Sequence, residues 1–151
     1  MTKPDENEKW KIVEAYSAIF IHSDLHQWDR LKLCFSETIT MDYASLNGQP
    51  ASTVKRDDLI SAWSGFLPKF TFTLHYLTNH AVTVVDDRAS ASCYGHAVHH
   101  LEGTAGGDLW EVYGTYNVEL VKQNDNWLVT ALRYNHKYAA GNLDLPAIAS
   151  R

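Results

Sequence analysis

Ser90-Ala91-Ser92-Cys93-Tyr94-Gly95-His96-Ala97-Val98-His99-His100-Leu101 is one of several stretches in the second half of the chain that read as β-strand. Turn residues flank it, Asp86-Asp87 before and the run from Gly103 to Gly107 after. Similar stretches, rich in β-branched and aromatic residues, cover 71–77, 80–85, 110–122 and 127–138, with a further break at Asn124 to Asn126. Breaks of this kind predict long strands joined by hairpins. Alternation within the quoted stretch puts His96, Val98 and His100 on one face and His99 on the other.

The first half has a different period. Trp10, Val13, Tyr16, Ile19 and Phe20 recur at three- and four-residue steps, which predicts an amphipathic helix from Asp5 to Phe20 with one buried stripe and Asp24 near its end. Trp28, Leu31 and Phe35 keep helical spacing over about 27–35. Residues 36–45 change to strand alternation, with Ile39, Met41 and Tyr43 on one face, and Asn47-Gly48-Gln49-Pro50 is a turn. Lys55 to Phe66 predicts a third helix with Asp57 and Asp58 in its first turn, Leu59, Trp63 and Phe66 on one stripe, and Pro68 as its stop. Helices followed by a meandering antiparallel sheet predict an α+β fold.

A chain of 151 residues, 45% hydrophobic and 12% aromatic, is the size of one domain with its own core, so residues 1–151 are expected to form a single unit. Residues 139–151 are a tail whose apolar part, Leu143 to Ile148, is expected either to cover a cavity mouth or to be disordered. With 13 basic against 18 acidic residues and a formal charge of -5, the chain lacks the basic stripe that a phosphate backbone selects, and no nucleic-acid partner is expected. Met1 to Lys9 is polar, and no apolar run approaches the roughly 20 residues of a membrane helix, so a soluble, cytoplasmic protein is expected. Cys34 and Cys93 are too few for a disulfide framework and read as small buried hydrophobes.

Proton-transfer groups are spread over several elements. Parity places His75 with Leu77 and Asn79, Tyr43 with Met41 and Ser45, and Thr115 with Asn117. A concave sheet face carrying Tyr43, His75, His100, Thr115 and Asn117 would combine titratable groups with neutral hydrogen-bond partners, as small-molecule sites do. An imidazole held by a carboxylate is a general base, because the carboxylate fixes its tautomer and stabilises the imidazolium; Asp24 and His75 are the candidate pair. Tyr43 is the candidate donor to a carbonyl oxygen that gains charge as the neighbouring C–H loses its proton. His22 with His26 and His96 with His100 have metal-like spacing, but the latter two stand about 13 Å apart along a strand, and no metal is expected.

The order of these groups resembles that of the scytalone dehydratase family, in the cone-shaped NTF2-like α+β superfamily that also holds the SnoaL-type polyketide cyclases. Asp24-Leu25-His26-Gln27-Trp28-Asp29-Arg30-Leu31 resembles the segment in which an active-site Asp precedes Trp-Asp-Arg-Leu. Asp42-Tyr43 is similar to an Asp-Tyr pair whose phenol helps to hold a carbonyl-polarising water. His75 in Thr73-Leu74-His75-Tyr76 matches the family's base, and His100, 25 residues on, its second histidine. Thr115-Tyr116-Asn117 resembles a Ser-x-Asn that contacts histidine and substrate. The resemblance covers roughly Ala15 to Tyr138 and departs at Ser23, where the family has a second tyrosine; Ser23 leaves the two-tyrosine clamp incomplete and the cavity larger.

The resemblance implies N-terminal helices packed on a curved antiparallel sheet and a cofactor-independent dehydratase acting on a β-hydroxy ketone of a polyketide or related secondary metabolite. His75, Asp24, Tyr43 and His100 would be catalytic, and Asn117, Thr115 and Ser23 would bind the substrate. It also implies a homo-oligomer, trimer or dimer. The alternatives are a SnoaL-like cyclase or isomerase using the same cavity, and a non-catalytic binding domain of the same shape.

Overall fold

A computed structural model describes residues 5–151. Helix α1 (Glu6–Asp24) starts at Asp5, whose side chain accepts the Asn7 N–H, and buries Ile12, Val13, Tyr16, Ile19, Phe20 and Ser23. Trp10 was expected on that stripe but is 61% exposed; at 100° per residue it lies about 120° around the helix from the stripe's centre. Short helix α2 (Trp28–Lys32), strand β1 (Phe35–Asp42), one-turn helix α3 (Ala44–Asn47), strand β2 (Ser52–Lys55) and helix α4 (Arg56–Phe66) follow. The rest is a meander of β3 (Phe72–Val85), β4 (Arg88–His100), β5 (Leu109–Gln123) and β6 (Asn126–Gly141), closed by helix α5 (Leu145–Ala149).

These strands form one six-stranded sheet in the order β2-β1-β6-β5-β4-β3, with the helices on its inner face. The meander is antiparallel throughout, but β1 pairs parallel to β6, correcting the wholly antiparallel expectation. The meander leaves the β6 edge open, and β1, arriving from the helical layer, lies along it. The turn between β5 and β6 is Asn124-Asp125, both at positive φ (50° and 62°), as a two-residue hairpin with matched twist requires.

The 71–77 and 80–85 stretches are one strand. β3 continues through a bulge at Asn79, whose φ is 55°, and the extra residue reverses the alternation. Thr73, His75 and Leu77 face inward before it, and Val82 and Val84 after it. Glu8 locks the start of α1 to the sheet by accepting from Trp127 Nε1 (2.7 Å) and Lys122 Nζ (3.0 Å). From that anchor α1 runs about 24 Å across the sheet and delivers Asp24 to β3.

The tail continues the fold: residues 139–141 complete β6 and Leu145–Ala149 form α5. Leu145 and Ala149 of α5 pack on Phe70, with Phe66, Leu101 and Trp110 around them, so the segment braces the wall of the site from behind. The outer sheet face carries a row of stacked rings: Tyr76 on His96 (5.6 Å between centroids), His96 on Tyr113 (4.1 Å) and Tyr113 on Tyr138 (4.4 Å).

Candidate active site

A cavity of about 340 Å³ lies between the inner sheet face and the helices. Phe20, Trp63, Phe66, Leu67, Trp110 and Val112 give it apolar walls; Ser23, Tyr43, Asn47, His75, His99, Tyr116 and Tyr134 provide the polar groups. No Lys, Arg, Asp or Glu lines it among the described residues, so it suits a neutral molecule.

Asp24, the last residue of α1, lies directly behind His75. Its Oδ1 accepts from Thr73 Oγ1 (2.9 Å) and from His75 Nδ1 (2.7 Å), and its Oδ2 accepts the backbone N–H of His75 (2.8 Å). Both side chains are nearly buried, 12% and 13% exposed. Three donors on one carboxylate fix it, and a carboxylate on Nδ1 fixes the imidazole tautomer, leaving Nε2 as the ring nitrogen available to a ligand. Phe20 packs on the ring at 5.2 Å.

His99, expected to point away, lines the cavity in place of His100. Its Nδ1–H donates to the Trp110 carbonyl (3.2 Å), which can only accept, so Nε2 carries the free lone pair. Its ring stacks on Trp110 at 4.2 Å and lies 6.1 Å from that of His75. Burial, reinforced by the nearby His75, pushes His99 down to about 4 from 6.5, so it is neutral at physiological pH.

A pH dependence follows from this shift. The unfolded chain takes up a proton on His99 below pH 6.5 and the folded chain only near pH 4, so its contribution is full above 6.5 and is lost as the pH falls towards 4. Between pH 7.5 and 5 the loss is about 2 kcal/mol. Urea unfolding at the two pH values checks this: the wild type is expected to lose about that much more stability than His99→Gln, and equal losses would remove the buried neutral imidazole.

The other expected residues divide between the two faces. Tyr43, at the N-terminus of α3, lines the cavity and stacks on Tyr134 at 5.8 Å, and burial raises its hydroxyl above the ordinary phenol range. Ser23 also lines it, but donates its hydroxyl proton to the Ile19 carbonyl (2.7 Å). His100, Thr115 and Asn117 are corrected to the opposite face. His100 stacks on the exposed Phe72 at 4.8 Å, and Asn135 Nδ2 donates to Thr115 Oγ1 (3.1 Å) and Asn117 Oδ1 (2.7 Å).

The physical reason is strand parity. Ala89, Ala91, Cys93 and Ala97 make the odd positions of β4 the apolar ones, and His99 continues that row; Val112, Tyr116, Val118 and Leu120 do the same for the even positions of β5. That signal also reveals Tyr116, and the β6 row of Leu132 and Tyr134 reveals the third phenol. Burial raises Tyr134 to about 12 and Tyr116 well above the ordinary value, with Tyr43 and Tyr134 adding to the latter shift. Among the described residues, no three His, Cys, Asp or Glu side chains converge to hold a metal, and no helix is long and apolar enough to cross a membrane.

Comparison with known proteins agrees with this architecture. Kfla4162 protein from Kribbella flavida is 27% identical, over 97% of this chain and 99% of that one, with a TM-score of 0.87. A candidate scytalone dehydratase from Novosphingobium aromaticivorans is 20% identical over 89% and 87% of the two chains (TM-score 0.74), and hexachlorocyclohexane dehydrochlorinase LinA type 2 is 18% identical over 89% and 88% (TM-score 0.73). At those identities the last two establish the NTF2-like fold alone. No curated protein matches. The SnoaL-like domain matches residues 6–133, nearly the whole helical layer and sheet, and the chain belongs to that family.

Proposed function

We propose that the protein is a lyase that removes water from a neutral β-hydroxy ketone, within a polyketide or related secondary metabolite, with side chains as its only acid and base. The observation that carries this reading is the 2.7 Å contact between Asp24 and His75 beside a cavity without fixed charge. His75 Nε2 takes the proton α to the carbonyl, and the C–H pair becomes the new C=C bond while the carbonyl π pair moves onto oxygen. Tyr43 donates to that oxygen, directly or through water. The imidazolium, stabilised by Asp24, then protonates the departing hydroxyl; the carbonyl reforms and the C–O bond breaks, giving an enone and water. Neutral His99 offers Nε2 as an acceptor for a substrate hydroxyl.

The names of the dehydratase and dehydrochlorinase neighbours support an elimination over other chemistry on this fold. Mass spectrometry of products from a panel of cyclic β-hydroxy ketones tests it. A product lighter by one water is expected, whereas a product of unchanged mass points to ring closure or isomerisation. The stacked outer face, with Tyr76 52% and Tyr138 56% exposed, supports the homo-oligomer implied by resemblance. A second copy is its proposed cover, and a monomer in sedimentation velocity would remove it.

A further inference from the structure

Tyr116 is only 4% exposed, lines the cavity, and has no hydrogen-bond partner for its hydroxyl among the described residues. Among the described residues, the side-chain polar atoms sealed off without a partner are Arg56 Nε and His100 Nδ1. The Tyr116 oxygen is neither, so it keeps open surface, and the open surface its ring borders is the cavity. An O–H that borders a cavity and has no partner in the protein is free to donate to whatever occupies that cavity. Its placement therefore points to an acceptor on the ligand.

The neighbouring phenols sharpen this. Tyr134 lies between Tyr116 (5.2 Å) and Tyr43 (5.8 Å), and its hydroxyl is engaged with His136 Nδ1 at 3.1 Å. Tyr43, like Tyr116, has no protein partner for its hydroxyl among the described residues. Ser23, at the helix end, has its own proton on the Ile19 carbonyl. We propose that Tyr116 is a catalytic residue: its O–H donates to the same substrate oxygen as Tyr43, so that the second phenol of the oxygen site comes from the sheet.

The inference rests on the elimination reading above, and its chemistry balances within it. The α C–H pair forms the C=C bond, the proton goes to His75 Nε2, and both phenols donate hydrogen bonds without transferring their protons. Burial raises Tyr116 well above the ordinary phenol value, which keeps it a donor throughout. Gly95 holds the geometry: it lies diagonally across from Tyr116 on the neighbouring strand, and a Cβ there would stand 2.2 Å from Tyr116 Cε2, so glycine at this position lets the ring seat. Phe20 packs on the ring at 4.9 Å.

The test uses two small probes of similar shape, 4-nitrophenolate as a mimic of the charged oxygen and nitrobenzene as the uncharged control. Tyr116→Phe retains the ring and its packing. It is expected to weaken 4-nitrophenolate binding by about 10- to 100-fold, one charge-assisted hydrogen bond, and to leave nitrobenzene binding within about twofold. A wild type that prefers the phenolate and a variant that binds it equally well would overturn the role of Tyr116 and leave the elimination reading standing. A wild type that binds both probes equally overturns that reading, and this proposal with it.

Discussion

Replacing His75 with alanine is expected to lower turnover by about 10²- to 10⁴-fold, the usual worth of a general base, while the protein stays folded. The side chain is held by one hydrogen bond to Asp24 and by Phe20, and the backbone N–H that reaches Asp24 Oδ2 survives the substitution. Circular dichroism and single-turnover rates on the true substrate separate the two effects. Tyr43→Phe is expected to cost less, since Tyr116 faces the same cavity with a second phenol. A Tyr43→Phe variant more damaged than His75→Ala would mean that activating the carbonyl, as in ring closure, is the main work of the site.

Gly114→Ala is expected to lower stability by about 2–3 kcal/mol, the upper part of the range for overpacking. Its Cβ would stand 2.2 Å from the Asn135 carbonyl and 2.8 Å from the Tyr134 ring. The first neighbour is backbone of the paired strand, so strands β5 and β6 must part, whereas a side-chain clash alone could be relieved by rotation. At this chain length the loss corresponds to a fall of about 6–10 °C in Tm. Calorimetry checks it, and an unchanged Tm would show that the strands are looser here than the register implies. Gly114 lies directly across from Gly95, so this paired gap seats both Tyr116 and Tyr134.

The fold was largely legible because period carries over long stretches. The helical stripe of α1 and the apolar rows of the meander each repeat often enough to average out exceptions such as Trp10. The pairing of β1 with β6 was not legible, since neither strand's pattern records the direction of a neighbour brought in from far along the chain. Asp24 with His75 could be anticipated from chemistry and motif order, both being side chains of fixed type. Parity separates the two faces of a strand without saying which is inward; the motif match selects the face of His100, Thr115 and Asn117, whereas the apolar rows of β4 and β5 select the other. A one-residue slip exchanges the two faces of a strand, and the small apolar residues at 89, 91, 93 and 97 were the better guide. Asn79 adds a second lesson, because a bulge changes parity within a strand and neither composition nor spacing shows on which side it begins.

The walls of the cavity also offer an optical consequence. Trp63 and Trp110 border it, and Trp110 lies against the neutral His99 ring. Indole emission responds to polarity and to neighbouring rings, so a ligand that displaces water beside these two side chains changes the light the protein emits. Trp10, out in solvent, stays as a constant background. The chain thus carries its own label, and libraries of unlabelled compounds can be screened for occupancy before any turnover is measured.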